Sequence, residues 1–213
     1  MTRLILATSD LAGTMLRRAG QADIAIGFRP RFVWGALPSR AELASSLERR
    51  SAEHHDFGTH WLDVASRKHL APVGDHSLSL LEFCDRCSSI ELWADPRPND
   101  QLVLVWLLDF LRPHRRILSK LVVVQTDVEI VAARGGAGLA QWRLPKLTMT
   151  DQRLELASRA WTRIHTAALL RPPGGRPVGH TAAPRGAHRT VRGASRSGNR
   201  SWRDRIANAG ARR

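Results

Sequence analysis

Ser9, Asp10, Arg31, Asp95 and Asn99 each follow a segment that reads as a strand, and their types fit the binding of an anion and a cation. In an open parallel sheet, ligands bind beyond the carboxyl ends of the strands, so these five side chains are expected to share one edge. A helix beginning just after Thr8-Ser9-Asp10 offers free backbone amides to an anion. Arg31 could hold a phosphate, and Asp10 with Asp95 could hold a divalent metal. Asn99 and Gln101 belong to the same rim, as does Arg29. The set predicts a small phosphorylated or nucleotide-like ligand, handled by a hydrolase or transferase. Trp34, in the loop Arg31-Phe32-Val33-Trp34-Gly35, is the best candidate for an exposed stacking platform beside that cleft. A plainer reading competes: Ser9 and Asp10 are ordinary helix caps, and Asp95 is a turn residue before Pro96. No G-x-G-x-x-G, G-x-x-x-x-G-K-[ST] or G-x-S-x-G occurs, so the sequence assigns no catalytic residue and no cofactor.

Two other groups carry metal or redox chemistry in other proteins. Cys84 and Cys87 have C-x-x-C spacing, but structural zinc needs four ligands and there is no second pair. A redox pair would sit at a helix N-terminus, where the dipole favours thiolate; these two fall at the predicted end of a helix and read as buried structural residues. His54, His55 and His60, with Asp56 and Asp63, are the densest set of possible zinc or iron ligands. His54 and His55 point apart in any regular element, so a polar loop anchored by Trp61 is the better reading. No metal site is expected there.

The elements that must position these residues follow from periodicity. Arg3 to Ala7 reads as a strand, Leu11 to Ala19 as a helix closed by Gly20, and Asp23 to Phe28 as a second strand. Ser39-Arg40-Ala41-Glu42 is a capping box that predicts a helix to about Ala52. Ser77 to Asp85 reads as a short helix and Ser89 to Ala94 as a third strand. Asn99 is expected to cap a helix that is apolar on nearly every side from Leu102 to Leu111, hence buried on more than one face. Lys120 to Gln125 has the Val run of a parallel strand. Thr150 then caps a helix with Leu154, Ala157 and Trp161 on one face. Of the tryptophans, Trp93, Trp106, Trp142 and Trp161 adjoin apolar neighbours and read as packing residues. Strands and helices that alternate in this way predict an α/β fold, a mostly parallel open sheet with flanking helices.

With 213 residues, 43% of them apolar, the chain can build a core. The longest apolar run, Leu102 to Leu108, is far short of the roughly 20 residues of a membrane span, and the start lacks the apolar stretch of a signal peptide. Two cysteines three apart make a poor disulfide framework, and these points together predict a cytoplasmic protein without a membrane partner. Charge is distributed unevenly. Residues Arg163 to Arg213 hold twelve Arg, no Lys and one acid, Asp204, for a net +11, while residues 1 to 162 sum to only +3. The reading divides the chain into an α/β domain over 1–165 and a disordered Arg/Gly/Pro-rich tail over 166–213, too poor in apolar residues to fold. Such a tail could bind nucleic acid through phosphate contacts, making the protein a non-enzymatic regulatory or nucleic-acid-binding one. It could equally be a solvated tail with no partner. Because Arg, Ala, Gly and Pro share GC-rich codons, the composition favours a shifted reading frame.

The segments Thr8-Ser9-Asp10-Leu11-Ala12-Gly13-Thr14-Met15-Leu16, Phe28 through Gly35-Ala36-Leu37, Leu92-Trp93-Ala94-Asp95 and Asn99-Asp100-Gln101-Leu102 resemble a bacterial family of unknown function, the domain of unknown function numbered eighteen-thirty-five. The resemblance covers residues 3 to 162. It implies an opening strand with a D-S-x-A-G-type turn, a G-P-L-type loop, and a Trp before a helix that starts near N-x-Q. This chain departs from it with Ser9-Asp10 where the family has Asp-Ser, with Gly35-Ala36-Leu37 for G-P-L, and with Arg29 and Arg31 near positions often acidic in relatives. Relatives also continue into helical sequence after the Trp161-type helix, which is what makes the Arg-rich tail look like a lost frame. The family implies no activity.

Overall fold

The computed structural model describes residues 2–50, 60–64, 78–133 and 135–169. The basic tail from 170 onward lies outside them, as do His54, His55 and Asp56. Five strands form one sheet: β1 (Arg3–Ala7), β2 (Ile24–Gly27), β3 (Ser89–Ala94), β4 (Leu121–Gln125) and β5 (Leu147–Thr148), in the order β2-β1-β3-β4-β5. The first four are parallel, and only the two-residue β5 runs antiparallel, on β4. The expected α/β class and mostly parallel sheet with flanking helices are therefore observed. No helix among the described residues is long and apolar enough to cross a membrane.

Alternation along the strands splits the core in two. Leu4, Leu6, Ile24, Ile26, Ile90, Leu92, Leu121 and Val123 face one cluster; Ile5, Ala7, Ala25, Trp93 and Val124 face the other. The chain runs outward from β1 to β2 and, in the opposite direction, from β3 to β4. Right-handed crossovers in opposite directions put their helices on opposite faces. Thus α1 (Asp10–Arg18) covers the second cluster, with the helix α7 (Gly135–Ala140) beside it. On the first face lie α2 (Arg40–Ser45), α3 (Trp61–Val64), α4 (Leu80–Arg86), α5 (Pro98–Leu111), α6 (Arg115–Leu118) and α8 (Asp151–Leu169). The helix α5, apolar all round as its sequence requires, buries Val103 through Leu108 and Leu111 between the sheet and α8.

Two local expectations are corrected. The helix α2 keeps its capping box but stops at Ser45, because the Ser45 and Ser46 hydroxyls donate to the carbonyls of Glu42 and Leu43 and the chain tightens into a turn. Asn99 does not cap α5. Pro98 occupies the first turn, Arg97 is the cap without a side-chain bond, and Asn99 is one residue inside. The helix α8 spans Asp151–Leu169, where the described residues end.

The N-terminal turn of α1 is seated by two glycines. A Cβ on Gly27, at the end of β2, would lie 2.5 Å from the Ser9 carbonyl oxygen and from the Asp10 Cα; one on Gly13 would lie 2.8 Å from the Gly27 nitrogen. These neighbours are backbone and cannot swing aside. Gly27→Ala is expected to lower stability by about 1–3 kcal/mol in denaturant unfolding, as overpacked sites do. Gly138→Ala, where nothing lies within 4 Å, is expected to be neutral or stabilising in the same measurement.

Candidate functional site

Between β1 and β3 the direction of strand order reverses, which is where doubly wound sheets leave a crevice at their carboxyl edge. The strands stay paired up to Thr8, whose amide donates to the Trp93 carbonyl at 3.0 Å, and then diverge into their loops. Six polar or charged side chains are buried among the described residues: Thr8, His60, Asp95, Asp100, Gln125 and Thr126. All but His60 belong to this edge.

They form two hydrogen-bonded groups. The Thr8 hydroxyl donates to Asp100 Oδ1 at 2.7 Å. Asp95 Oδ1 accepts from the Ile130 amide at 3.0 Å and from the Thr126 hydroxyl at 3.2 Å. The Gln101 side chain donates to the Asp95 carbonyl at 2.6 Å and accepts from Gln125 Nε2 at 3.2 Å. Gln125 Oε1 is buried with no donor. Burial pushes the Asp100 carboxyl up to about 6, and the Asp95 charge adds to the rise while the Thr8 hydroxyl opposes it. Burial raises Asp95 as well, offset by its bonds from Ile130 and Thr126.

The expected site residues take different places around these groups. Ser9 is the α1 cap, its hydroxyl accepting from the Ala12 amide at 3.2 Å. Asp10 pairs with Arg29 at 3.0 Å on the half-exposed rim. Asp10 is held by Arg29 and Asp95 by Thr126 and Ile130, and no group of three or more His, Cys, Asp or Glu residues among the described ones could hold an ion. Asp95 is more than a turn residue, because it fastens the loop after β4 to the end of β3. Asn99 is a clamp: it accepts the Phe32 amide at 2.7 Å and donates to the Pro30 carbonyl at 2.9 Å. The clamp sets the loop after β2, with exposed Arg31, beside the N-terminal turn of α5.

Thr8, Asp100, Gln125 and Thr126 were not among the expected site residues. Asp100 had a legible signal, since it lies on the same helical stripe as Leu104, Leu107 and Leu111, so a carboxylate there must be buried. Gln125-Thr126 directly after a Val run is the equivalent signal for β4.

Two clefts lie elsewhere. One of about 1010 Å³ opens over the second face of β3 and β4, lined by Glu91, Trp93, Val122, Trp142 and Lys146. Its charges are committed: Lys146 pairs with Glu91, and Lys120 donates to the carbonyls of Asp85 and Cys87. The other, of about 1000 Å³, is walled by Arg49, Glu82, Asp85 and Arg116, with Arg49 paired to Glu82 and Arg116 to Asp85. Neither gathers buried polar groups as the strand edge does. Comparison of the chain with family models, with curated proteins and with solved structures returns no match.

Two outcomes follow from the buried groups. An acid with a raised folded-state pKa favours the fold when protonated. The stability Asp100 contributes is therefore present below its unfolded pKa, near 4, and is lost as pH rises through about 6. Asp100→Asn is expected to remove that fall, flattening the pH–stability profile between about 4 and 6 by about 1–2 kcal/mol once residual solvent screening is allowed for. Both cysteines are buried, and burial pushes the Cys87 thiol up to about 11 and that of Cys84 further. Neither is expected to react with iodoacetamide at pH 8 before the protein unfolds, as read by mass spectrometry.

Proposed function

We propose that the protein binds a phosphorylated, nucleotide-like small molecule in the crevice where β1 and β3 diverge. The observation that supports this reading is the gathering of five of the six buried polar or charged side chains at that edge. Buried polar groups are costly and elsewhere in the described core are nearly absent. The arrangement also sorts by chemistry. Its floor is rich in acceptors: Asp95, Asp100 and the undonated Gln125 Oε1. Its rim offers donors: the amides of Asp10 and Leu11, which a first helical turn leaves without intrahelical partners, and the exposed Arg31 guanidinium. A sugar phosphate is complementary to both, its hydroxyls donating to the floor and its phosphate accepting from the rim. Membership of the family of unknown function would fit this reading without adding an activity to it.

Titration calorimetry on the full chain with ribose 5-phosphate tests the reading. Binding is expected, and Arg31→Ala should weaken it about 10- to 100-fold, as loss of a charged hydrogen bond does, without a change in melting temperature. An absence of binding, or equal affinities for wild type, Arg31→Ala and Asp100→Asn, would refute it.

A further inference from the structure

Four large apolar side chains are exposed among the described residues: Leu11 at 55%, Val33 at 44%, Trp34 at 76% and Val128 at 55%. All four lie at the carboxyl edge of the sheet, in the first turn of α1 or in the loops that follow β2 and β4. Every other large apolar side chain described is at least partly buried, so the exposure is confined to the surface around the crevice.

Trp34 is the most exposed of the four, and it stands on a fixed base. Two residues before it, Phe32 is buried, its ring 5.6 Å from Trp106 and 5.2 Å from Trp161. The Phe32 amide is held by Asn99. Gly35, immediately after it, turns the chain with φ +75°, a conformation that L side chains rarely adopt. The indole is thus presented by a loop pinned on both sides of Arg31. Among the three arginines around the crevice, Arg29 is paired with Asp10 and Arg97 with Glu129, whereas Arg31 has no ion-pair partner among the described residues. A flat aromatic face three residues along the same exposed loop from an uncommitted guanidinium is a pairing suited to a base carrying phosphate, because every base has a face to stack and the phosphate completes the Arg.

We infer that the ligand is a purine nucleoside phosphate whose base stacks on Trp34, with its phosphate at Arg31 and the α1 turn and its ribose hydroxyls toward Asp100. This inference rests on the crevice reading above and adds the base to it. The bicyclic purine matches the area of an indole better than a pyrimidine does.

Titration calorimetry of the full chain with adenosine 5′-diphosphate and with ribose 5-phosphate separates the two claims. The diphosphate is expected to bind more tightly. Trp34→Ala should weaken it roughly 5- to 100-fold while leaving ribose 5-phosphate binding unchanged, and Trp34→Phe should restore most of the loss. Trp34 is exposed, so folding is not at stake, and an unchanged melting temperature would confirm that. If ribose 5-phosphate binds but the diphosphate binds no better, or if Trp34→Ala leaves the diphosphate untouched, the stacking inference is overturned and the crevice reading stands. If neither ligand binds, both fall. A concentration-dependent dimer in sedimentation that Trp34→Ala dissolves would also overturn the inference, by giving the indole to a second copy of the chain.

Discussion

The contact on which this architecture turns is backbone against backbone, where the first turn of α1 presses on the end of β2. Ser9 and Asp10 reach the Gly27 backbone with no space for a side chain, and Gly13 does the same from within the helix. Helix-to-sheet spacing elsewhere is set by side chains that can repack. Here it is set by atoms with no freedom. The position of the α1 N-terminus, and with it one wall of the crevice, follows directly from the absence of two methyl groups.

The opposite wall is built differently. Asp95 fastens the loop after β4 to the end of β3, and Asn99 fastens the loop after β2 to the start of α5. Each uses a side-chain carbonyl or carboxylate oxygen to satisfy a backbone amide that no strand or helix pairs. Such bonds hold loops without the entropy loss of long side chains, and they leave the loop surface free for other contacts. Asp100 differs in that its carboxyl accepts from the Thr8 hydroxyl and is buried near a second acid, Asp95. A group kept in that condition is costly to the fold, as strained and desolvated groups at functional sites commonly are.

The sequence made the sheet legible because its signals were strong and local. The Val run of β4, the alternation of β2 and the all-round apolar α5 each demand burial, and the alternation of strands with helices demands crossovers. The carboxyl-edge placement of Ser9, Asp10, Arg31, Asp95 and Asn99 then followed from topology alone. What these residues do at that edge was less accessible. Asn99 looks like a cap in sequence because Pro98 obscures which residue opens the helix, and only the folded chain shows its partner 67 residues away. Asp10 and Asp95 match in chemistry, and their partners Arg29 and Thr126 are set by tertiary packing that spacing does not reveal. The end of α2 is hidden in sequence for a local reason: Ser45 and Ser46 can turn back on the helix or continue it, and periodicity does not decide between these.

The position of β1 between β2 and β3 carries a consequence for the order in which the chain can assemble. Leu4 pairs with Ile24 on one side and with Ile90 on the other. During synthesis the first pairing becomes available early, while the second must await more than sixty further residues, and at translation rates of about 5–20 residues per second that interval is several seconds. Throughout it, one edge of β1 is open, with its amides and carbonyls unpaired. Parallel pairings of this separation close slowly even in the complete chain. The arrival of β3 is therefore the event that ends the exposure of that edge.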